Sequence, residues 1–263
     1  MGTSAIPGTA LITGASSGIG KEFARIHASR GGNLILTARR KDALEALREE
    51  LERDHSIQAE TIPFDLSTPT GPQDLHKEIK RRNLTVDILI NNAGFGGHGA
   101  FAEQDLQQNL HMVDLNIKSL MSLTHLVLND MIPQGKGRIL NVGSTAGMIP
   151  GPLHATYHAS KAFVNSFSQA IASELKDTGI TVTALAPGTV ATDFFEKADM
   201  GGFRSPKQMA SPQSVARIGY DAMMKGKLFV INDWKLTLLL RYIAPFIPRK
   251  SLLTAAKQFS GGN

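Results

Sequence analysis

Apolar positions along the chain fall into short continuous runs that alternate with longer stretches in which they recur every three or four residues. Thr9–Thr13, Asn33–Ala38, Gln58–Phe64, Asp87–Ile90, a run ending at Asn141–Ser144, Thr181–Ala186 and Lys227–Ile231 are apolar, β-favouring and short, the pattern of buried strands. The helical spacing fills the gaps. It runs from the glycines after Thr13 to about Arg30, over Asp42–Arg53 through Leu44, Leu47 and Leu51, and over Pro72–Arg82. It continues from about Leu106 to Met131, from Ala155 to Lys176, and onward from Ser211-Pro212, where Ser is placed to cap and Pro to open a first turn. Strands that alternate with helices give a parallel sheet covered on both faces. The expectation is an α/β fold: one doubly wound domain over residues 1–263, with a seven-stranded, largely parallel sheet flanked by helices.

Length agrees with that count, because 263 residues bury one sizeable core before a chain tends to split. The 25 Gly and 12 Pro are spread along the chain, so no low-complexity linker divides it. With no Cys there are no disulfides, no thiolate metal site and no Cys nucleophile, which fits a reducing compartment. The start of the chain is too short and polar for a leader, and no apolar run reaches the roughly 18 residues a membrane span needs. A cytoplasmic location is therefore expected. The 28 basic and 23 acidic residues are interspersed, so the net charge of +5 makes no nucleic-acid footprint.

Chemistry enters at the strand ends. Thr13 leads into Gly14-Ala15-Ser16-Ser17-Gly18-Ile19-Gly20 and then a helix. Glycines there let the backbone approach a phosphate, and the helix N-terminus attracts its charge. Arg39 and Arg40 follow the second strand, where a site for NAD usually carries an acid and an Arg suits a 2′-phosphate. NADP(H) is therefore favoured over NAD(H). Asp65, after the third strand, either meets an adenine edge or caps its own turn. Asn91-Asn92-Ala93-Gly94 ends the fourth strand with side chains small enough to lie against a flat ligand, and the Gly-rich run to Gly99 reads as a mobile loop in which His98 is an ordinary loop residue. Asn116 interrupts an apolar helix, and its residue type alone favours a structural role, satisfying backbone groups.

The strongest arrangement lies between Asn141 and Lys161. Ser144 closes a strand, while Tyr157 and Lys161, four apart, share one side of a helix. A free Tyr has a pKa of roughly 10, so readying it near neutrality means stabilising the phenolate by about 4 kcal/mol. One ammonium at about 4 Å supplies that much at an effective dielectric near 20, with no metal. Tyr157 is then a candidate general acid or base, and Ser144 a donor to the same carbonyl oxygen.

Taken in order, Thr13-Gly14-Ala15-Ser16-Ser17-Gly18-Ile19-Gly20, Asp65, Asn91-Asn92-Ala93-Gly94, Asn116, Ser144, Tyr157-His158-Ala159-Ser160-Lys161 and Pro187-Gly188 followed by Thr192 resemble the short-chain dehydrogenase/reductase family over about residues 9–231. The resemblance implies a Rossmann-type fold and a catalytic set of Asn116, Ser144, Tyr157 and Lys161, with Asn116 holding a water that relays protons through Lys161. That reverses the structural reading of Asn116. It also implies cofactor contacts from Gly14, Ser16, Ser17, Gly18, Ile19, Gly20, Arg39, Asp65, Leu66, Asn92, Gly94, Tyr157, Lys161, Pro187, Gly188, Val190 and Thr192. One position departs from many NADP-using members: Ser17, before the second glycine of the motif, stands where they carry a basic residue.

Residues 189–210, with Phe194, Phe195, Met200, Phe203 and Met209, have the mixture of either a lid over an apolar ligand or a packed surface helix pair. Trp234–Ile247 is apolar with basic edges and too short to cross a bilayer. This tail either walls a lipophilic pocket, lies on an anionic membrane as a peripheral contact, or packs on its own domain or a twin subunit. The expected activity is NADP(H)-dependent interconversion of a carbonyl and a secondary alcohol on a lipophilic small molecule, in a homo-oligomer, dimer or tetramer. A dinucleotide-binding sensor or scaffold, and a non-redox isomerase or dehydratase, are the rivals.

Overall fold

In the computed structural model, residues 8–192 and 209–259 are described. The strands are β1 Ala10–Thr13, β2 Leu34–Thr37, β3 Ala59–Thr61, β4 Ile88–Asn91, β5 Gly137–Val142, β6 Ile180–Ala186 and β7 Phe229–Ile231. Among the described residues they form one seven-stranded sheet in the order β3-β2-β1-β4-β5-β6-β7, and every registered pair is parallel. The order reverses direction after β1. Ligands in open α/β sheets sit beyond the carboxyl ends of the strands at such a switch.

Period-two alternation divides the core. Ala10, Ile12, Leu34, Leu36, Ile88 and Ile90 face one side, where they meet Phe23 and Ala24 of α1 (Gly18–Ala28), Leu44 and Leu47 of α2 (Lys41–His55), and Val215 and Tyr220 of α7 (Pro212–Met224). Leu11, Ile35, Leu89 and Ile139 face the other. There they pack on α3 (Gly71–Arg81) through Leu75, on α5 (Leu120–Met131) through Leu123, and on α6 (Ala155–Glu174) through Ile171. The strands are apolar throughout because both faces are covered.

The long helix expected over Leu106–Met131 is not continuous. It consists of α4 (Leu106–Val113), a π-helical turn over Asp114–Ser119, and α5. A π-turn admits one extra residue and re-aims its side chains, and Asn116 sits within it. The third strand is shorter than Gln58–Phe64 because only Ala59–Thr61 pair with β2. The tail becomes helical: α8 (Trp234–Leu238), a π-turn over Leu239–Ile243, a 3₁₀ turn over Ala244–Phe246, and α9 (Arg249–Phe259). Pro245 and Pro248 explain the interruptions, since each removes a backbone donor. Leu240, Ala244 and Leu252 make a small buried cluster with Met148 and Ile149, so the tail packs on the rest of its own chain.

α1 and α7 are locked by a buried pair. His27 Nε2 donates to Gly8 O at 2.9 Å, leaving Nδ1 to accept from the Tyr220 hydroxyl at 2.8 Å. Burial pushes the His27 pKa down to about 4. Because the folded value lies below the unfolded one, this contribution is complete above about pH 6.5 and is lost as pH falls towards 4. Denaturant titrations at pH 7 and pH 5 should show wild type losing about 2 kcal/mol that His27→Asn does not lose. Equal losses in the two proteins would contradict the assignment.

Candidate active site

The carboxyl ends of β1, β2, β4, β5 and β6 open into a cavity of about 870 Å³. Its floor begins at the Gly-rich turn. Gly14 has φ +66°, and a Cβ at Gly20 would lie 2.3 Å from Gly14 O, so both positions require glycine. Ser17 opens α1 without a side-chain capping bond, and no acid occupies the first turn. The helix N-terminus is left to an anion. Thr13 Oγ1 accepts from the backbone N–H of Asn92 at 2.9 Å and of Ala93 at 3.0 Å, while Asn92 Nδ2 donates to Thr13 O at 3.0 Å. These bonds hold the ends of β1 and β4 together under the cavity.

Arg39 and Arg40 are both exposed at the rim. Arg40 donates to Ser16 O and Oγ, each at 3.2 Å, and so steadies the Gly-rich turn. Asp65 lines the cavity, but its carboxylate is turned to its own chain, accepting from Ser67 N at 3.0 Å and from the Ser67 hydroxyl. Of the two readings of Asp65, the turn cap is what its contacts display. Burial opposes its charge; the Ser67 bonds and the nearby Arg39 outweigh it and hold the carboxyl below its ordinary range.

Ser144 is extended and caps a short 3₁₀ turn by accepting from Ala146 N at 3.1 Å. Its hydroxyl donates to Pro187 O at 3.4 Å, a long bond easily given up. Tyr157 and Lys161 stand on α6 and both face the cavity. Here the charge argument from residue type needs correction. Lys161 Nζ donates to Val142 O at 2.9 Å and lies 6.0 Å from the centre of the Tyr157 ring. Burial dominates both groups: it pushes the Tyr157 phenol up to about 12, against a hydrogen bond with Ser144, and the Lys161 ammonium down to about 8. In this state Tyr157 is a protonated donor, not a readied phenolate.

Asn116 is buried behind the cavity wall, not on it. Its Oδ1 accepts from Phe95 N at 3.1 Å, and Nδ2 donates to Phe95 O at 2.9 Å and Ser160 Oγ at 3.1 Å. The amide therefore pins the start of the loop after β4, which the glycines alone made look mobile. A Cβ at Gly94 would meet Asn116 Oδ1 at 2.9 Å and Lys161 Nζ at 3.4 Å, so the two side chains flank the same backbone.

Gly14, Ser16, Ser17, Gly18, Ile19, Leu66, Asn92, Gly94, Pro187, Gly188, Val190 and Thr192 also line the cavity; Gly20 lies just beneath, against Gly14 O. A Cβ on Gly18 would come within 3.2 Å of Thr192 Cγ2, so the chain after β6 lies over the start of α1. Val190 and Ala210 form a parallel bridge. It joins the two ends of the lid sequence, whose Phe194, Phe195, Met200 and Phe203 lie outside the described residues.

Two histidines and the tail complete the wall. His154 and His158, one helical turn apart, both line the cavity; the His98 ring lies 4.8 Å from that of His154, tilted by 47°. Burial holds both His154 and His158 below the ordinary imidazole range. Their i, i+4 spacing beside Tyr157 was the signal available in the sequence. Leu153, just before α6, takes φ +66°, a strained value for a branched residue, and its carbonyl accepts from Gly99 N at 2.9 Å. From the tail come Leu239, Leu240, Ile247 and Leu252, which line the cavity.

With this geometry in view, the comparisons are direct. Residues 8–201 match the short chain dehydrogenase family, and the chain belongs to it. It is 40% identical over 186 residues to sulfoacetaldehyde reductase 2 of Chromohalobacter salexigens, covering 70% of this chain and 73% of that one. A short-chain dehydrogenase from Sphingobium yanoikuyae in complex with NADPH superposes with a TM-score of 0.80 at 30% identity, covering 95% and 93% of the two chains. The bulky-bulky ketone specific alcohol dehydrogenase from Comamonas testosteroni gives 0.77 at 29% identity, over 92% and 95%. The protein is thus an oxidoreductase acting between hydroxyl and carbonyl groups in a family that uses NAD(P)(H). Among the described residues no helix is long and apolar enough to cross a membrane.

The ionisation state assigned to Tyr157 can be read directly. Phenolate absorbance of wild type and Tyr157→Phe should superimpose from neutrality to about pH 10.5. An extra phenolate in wild type within that range would contradict a phenol pushed up to about 12.

Proposed function

We propose that this protein is an NADP(H)-dependent carbonyl reductase for a lipophilic ketone or aldehyde, working through Ser144, Tyr157 and Lys161. The observation that carries the reading is a buried phenol bonded to a serine hydroxyl, both on the wall of a cavity that Leu239, Leu240, Ile247 and Leu252 also line. A dinucleotide fits the residues present: the Gly14–Gly20 turn is a cradle that a Cβ would fill, and the α1 N-terminus is uncapped by any side chain. When bound, the nicotinamide supplies or accepts the hydride. Tyr157, protonated, donates to the carbonyl oxygen as negative charge develops there, and Ser144 exchanges its long bond to Pro187 O for one to the same oxygen. Lys161, beside Val142 O, is placed to hold ribose hydroxyls and to bring positive charge near the phenol. Asn116 is a positioning residue that fixes the loop carrying Gly94, and a water between its Oδ1 and Lys161 would complete a proton path.

Arg39 at the rim suits a 2′-phosphate, and no acid stands between β2 and α2, where one would hold a 2′-hydroxyl. The relative named for a small charged aldehyde argues for a polar substrate. Against it stand Leu239, Leu240, Ile247 and Leu252, which offer no partner to a sulfonate. Exposed Leu106, Leu110 and Met121 on α4 and α5 give a homo-oligomer an apolar face.

A panel of small charged aldehydes and bulky apolar ketones, each with NADPH and NADH, tests the reading. Apolar ketones with NADPH should give the highest kcat/KM, and Tyr157→Phe should lower it by roughly 10²–10⁴-fold. Faster turnover of the charged aldehydes, or equal use of NADH, would overturn the substrate or the cofactor assignment respectively.

A further inference from the structure

The tail has two sides. Its inner side lines the cavity, while Trp234, Leu238, Tyr242, Ile243, Phe246 and Leu253 point outward at 73%, 48%, 59%, 45%, 86% and 38% exposure. These six side chains come from a single stretch of about twenty residues and include two of the chain's largest. Single exposed apolar residues are ordinary; a contiguous group of aromatics and aliphatics marks a surface meant to be covered.

The charges around it say by what. From Trp234 to the end of the chain there are five cations, Lys235, Arg241, Arg249, Lys250 and Lys257, and no acid. All five are exposed, in a chain where acids and bases are elsewhere interspersed. Lys235 lies with its ammonium 5.8 Å from the centre of the Trp234 ring, so charge and aromatic surface occupy the same end of the segment. Were a second copy the occupant, two-fold pairing of this face on itself would set five cations against five. An anionic lipid surface is the complementary partner: aromatic and aliphatic side chains enter the headgroup boundary, and each Lys or Arg near it contributes roughly a five-fold gain in binding.

We infer that the face carried by residues 234–257 docks the protein peripherally on anionic membranes. The docking face is separate from the catalytic groups and does not depend on what the cavity turns over. Leu240 and Leu252 lie against the cavity while Tyr242 and Phe246 face out, so a single layer of chain separates the lipid surface from the reaction space.

Trp234 is the only tryptophan in the chain and reports the event directly. With vesicles of phosphatidylcholine and phosphatidylglycerol, the Trp234 emission should shift to the blue and the protein should co-sediment. Vesicles of phosphatidylcholine alone should leave both unchanged, and added salt should release the bound protein. Arg249→Glu with Lys250→Glu should cut partitioning at least ten-fold, as should Phe246→Asp. These exposed positions lie off the cavity wall, so both variants should keep the wild-type melting temperature and wild-type turnover of a water-soluble substrate. No partitioning onto anionic vesicles overturns the inference, as does equal partitioning onto neutral ones. A blue shift that rises with protein concentration in the absence of lipid assigns the face to a second copy and also overturns it. None of these readouts measures turnover of apolar ketones, so the substrate reading stands or falls separately.

Discussion

The site depends on keeping an ammonium out of water. Lys161 is buried in the second turn of α6, where its ammonium donates to Val142 O at 2.9 Å, on the last residue of β5. Burying a cation is costly unless it is paired or hydrogen-bonded, and here the cost appears as a pKa brought down to about 8. The fold meets that cost by crossing the helix over the strand end, which also delivers Tyr157 and Ser144 to the same cavity wall. Local sequence alone would not hold a lysine there. A parallel sheet covered on both faces, with its strand ends converging on one edge, does.

The same edge is held together by buried polar groups that bond one another. Thr13 joins β1 to β4, Asn91 Nδ2 donates to Asn141 Oδ1 at 2.9 Å, and Asn141 Nδ2 donates to Ser168 Oγ at 3.0 Å on α6. Buried amides satisfied in this way specify one arrangement, because any slip leaves several of them unpaired. Asn116 extends the network to the loop after β4, and the π-turn that carries it breaks an otherwise regular helix. Local irregularity of this kind commonly marks a functional site.

Much of this was legible in the residues. Strand order along the chain followed from short apolar runs, and the cavity lining around Gly14–Ile19, Ser144, Tyr157 and Pro187-Gly188 followed from glycines and polar groups at strand ends. What was not legible depended on three-dimensional environment. Charge and spacing alone put Lys161 close enough to depress the Tyr157 pKa, whereas burial of both groups, which no spacing reveals, moves the phenol the other way. The π-turn escaped notice because Asp114–Ser119 has ordinary helical residues. His154 carried only its i, i+4 spacing to His158 as a signal, and its place on the wall is set by the loop carrying Gly97, which folds onto it and accepts its Nδ1–H at 2.9 Å. The tail's two sides were legible only as alternatives, since composition cannot assign the sides of a segment that prolines break into short helical turns.

These features support the one proposal on which the rest turns: the buried phenol of Tyr157 would give its proton to a carbonyl oxygen while a bound nicotinamide supplied hydride to the carbon. The most direct test follows the hydrogen itself, using NADPH deuterated at the transferable position and an apolar ketone in a single turnover. The account predicts product alcohol carrying one deuterium on the carbinol carbon, with the hydroxyl hydrogen drawn from solvent. A product formed without deuterium at that carbon, or a rearranged product with the cofactor unconsumed, would contradict it.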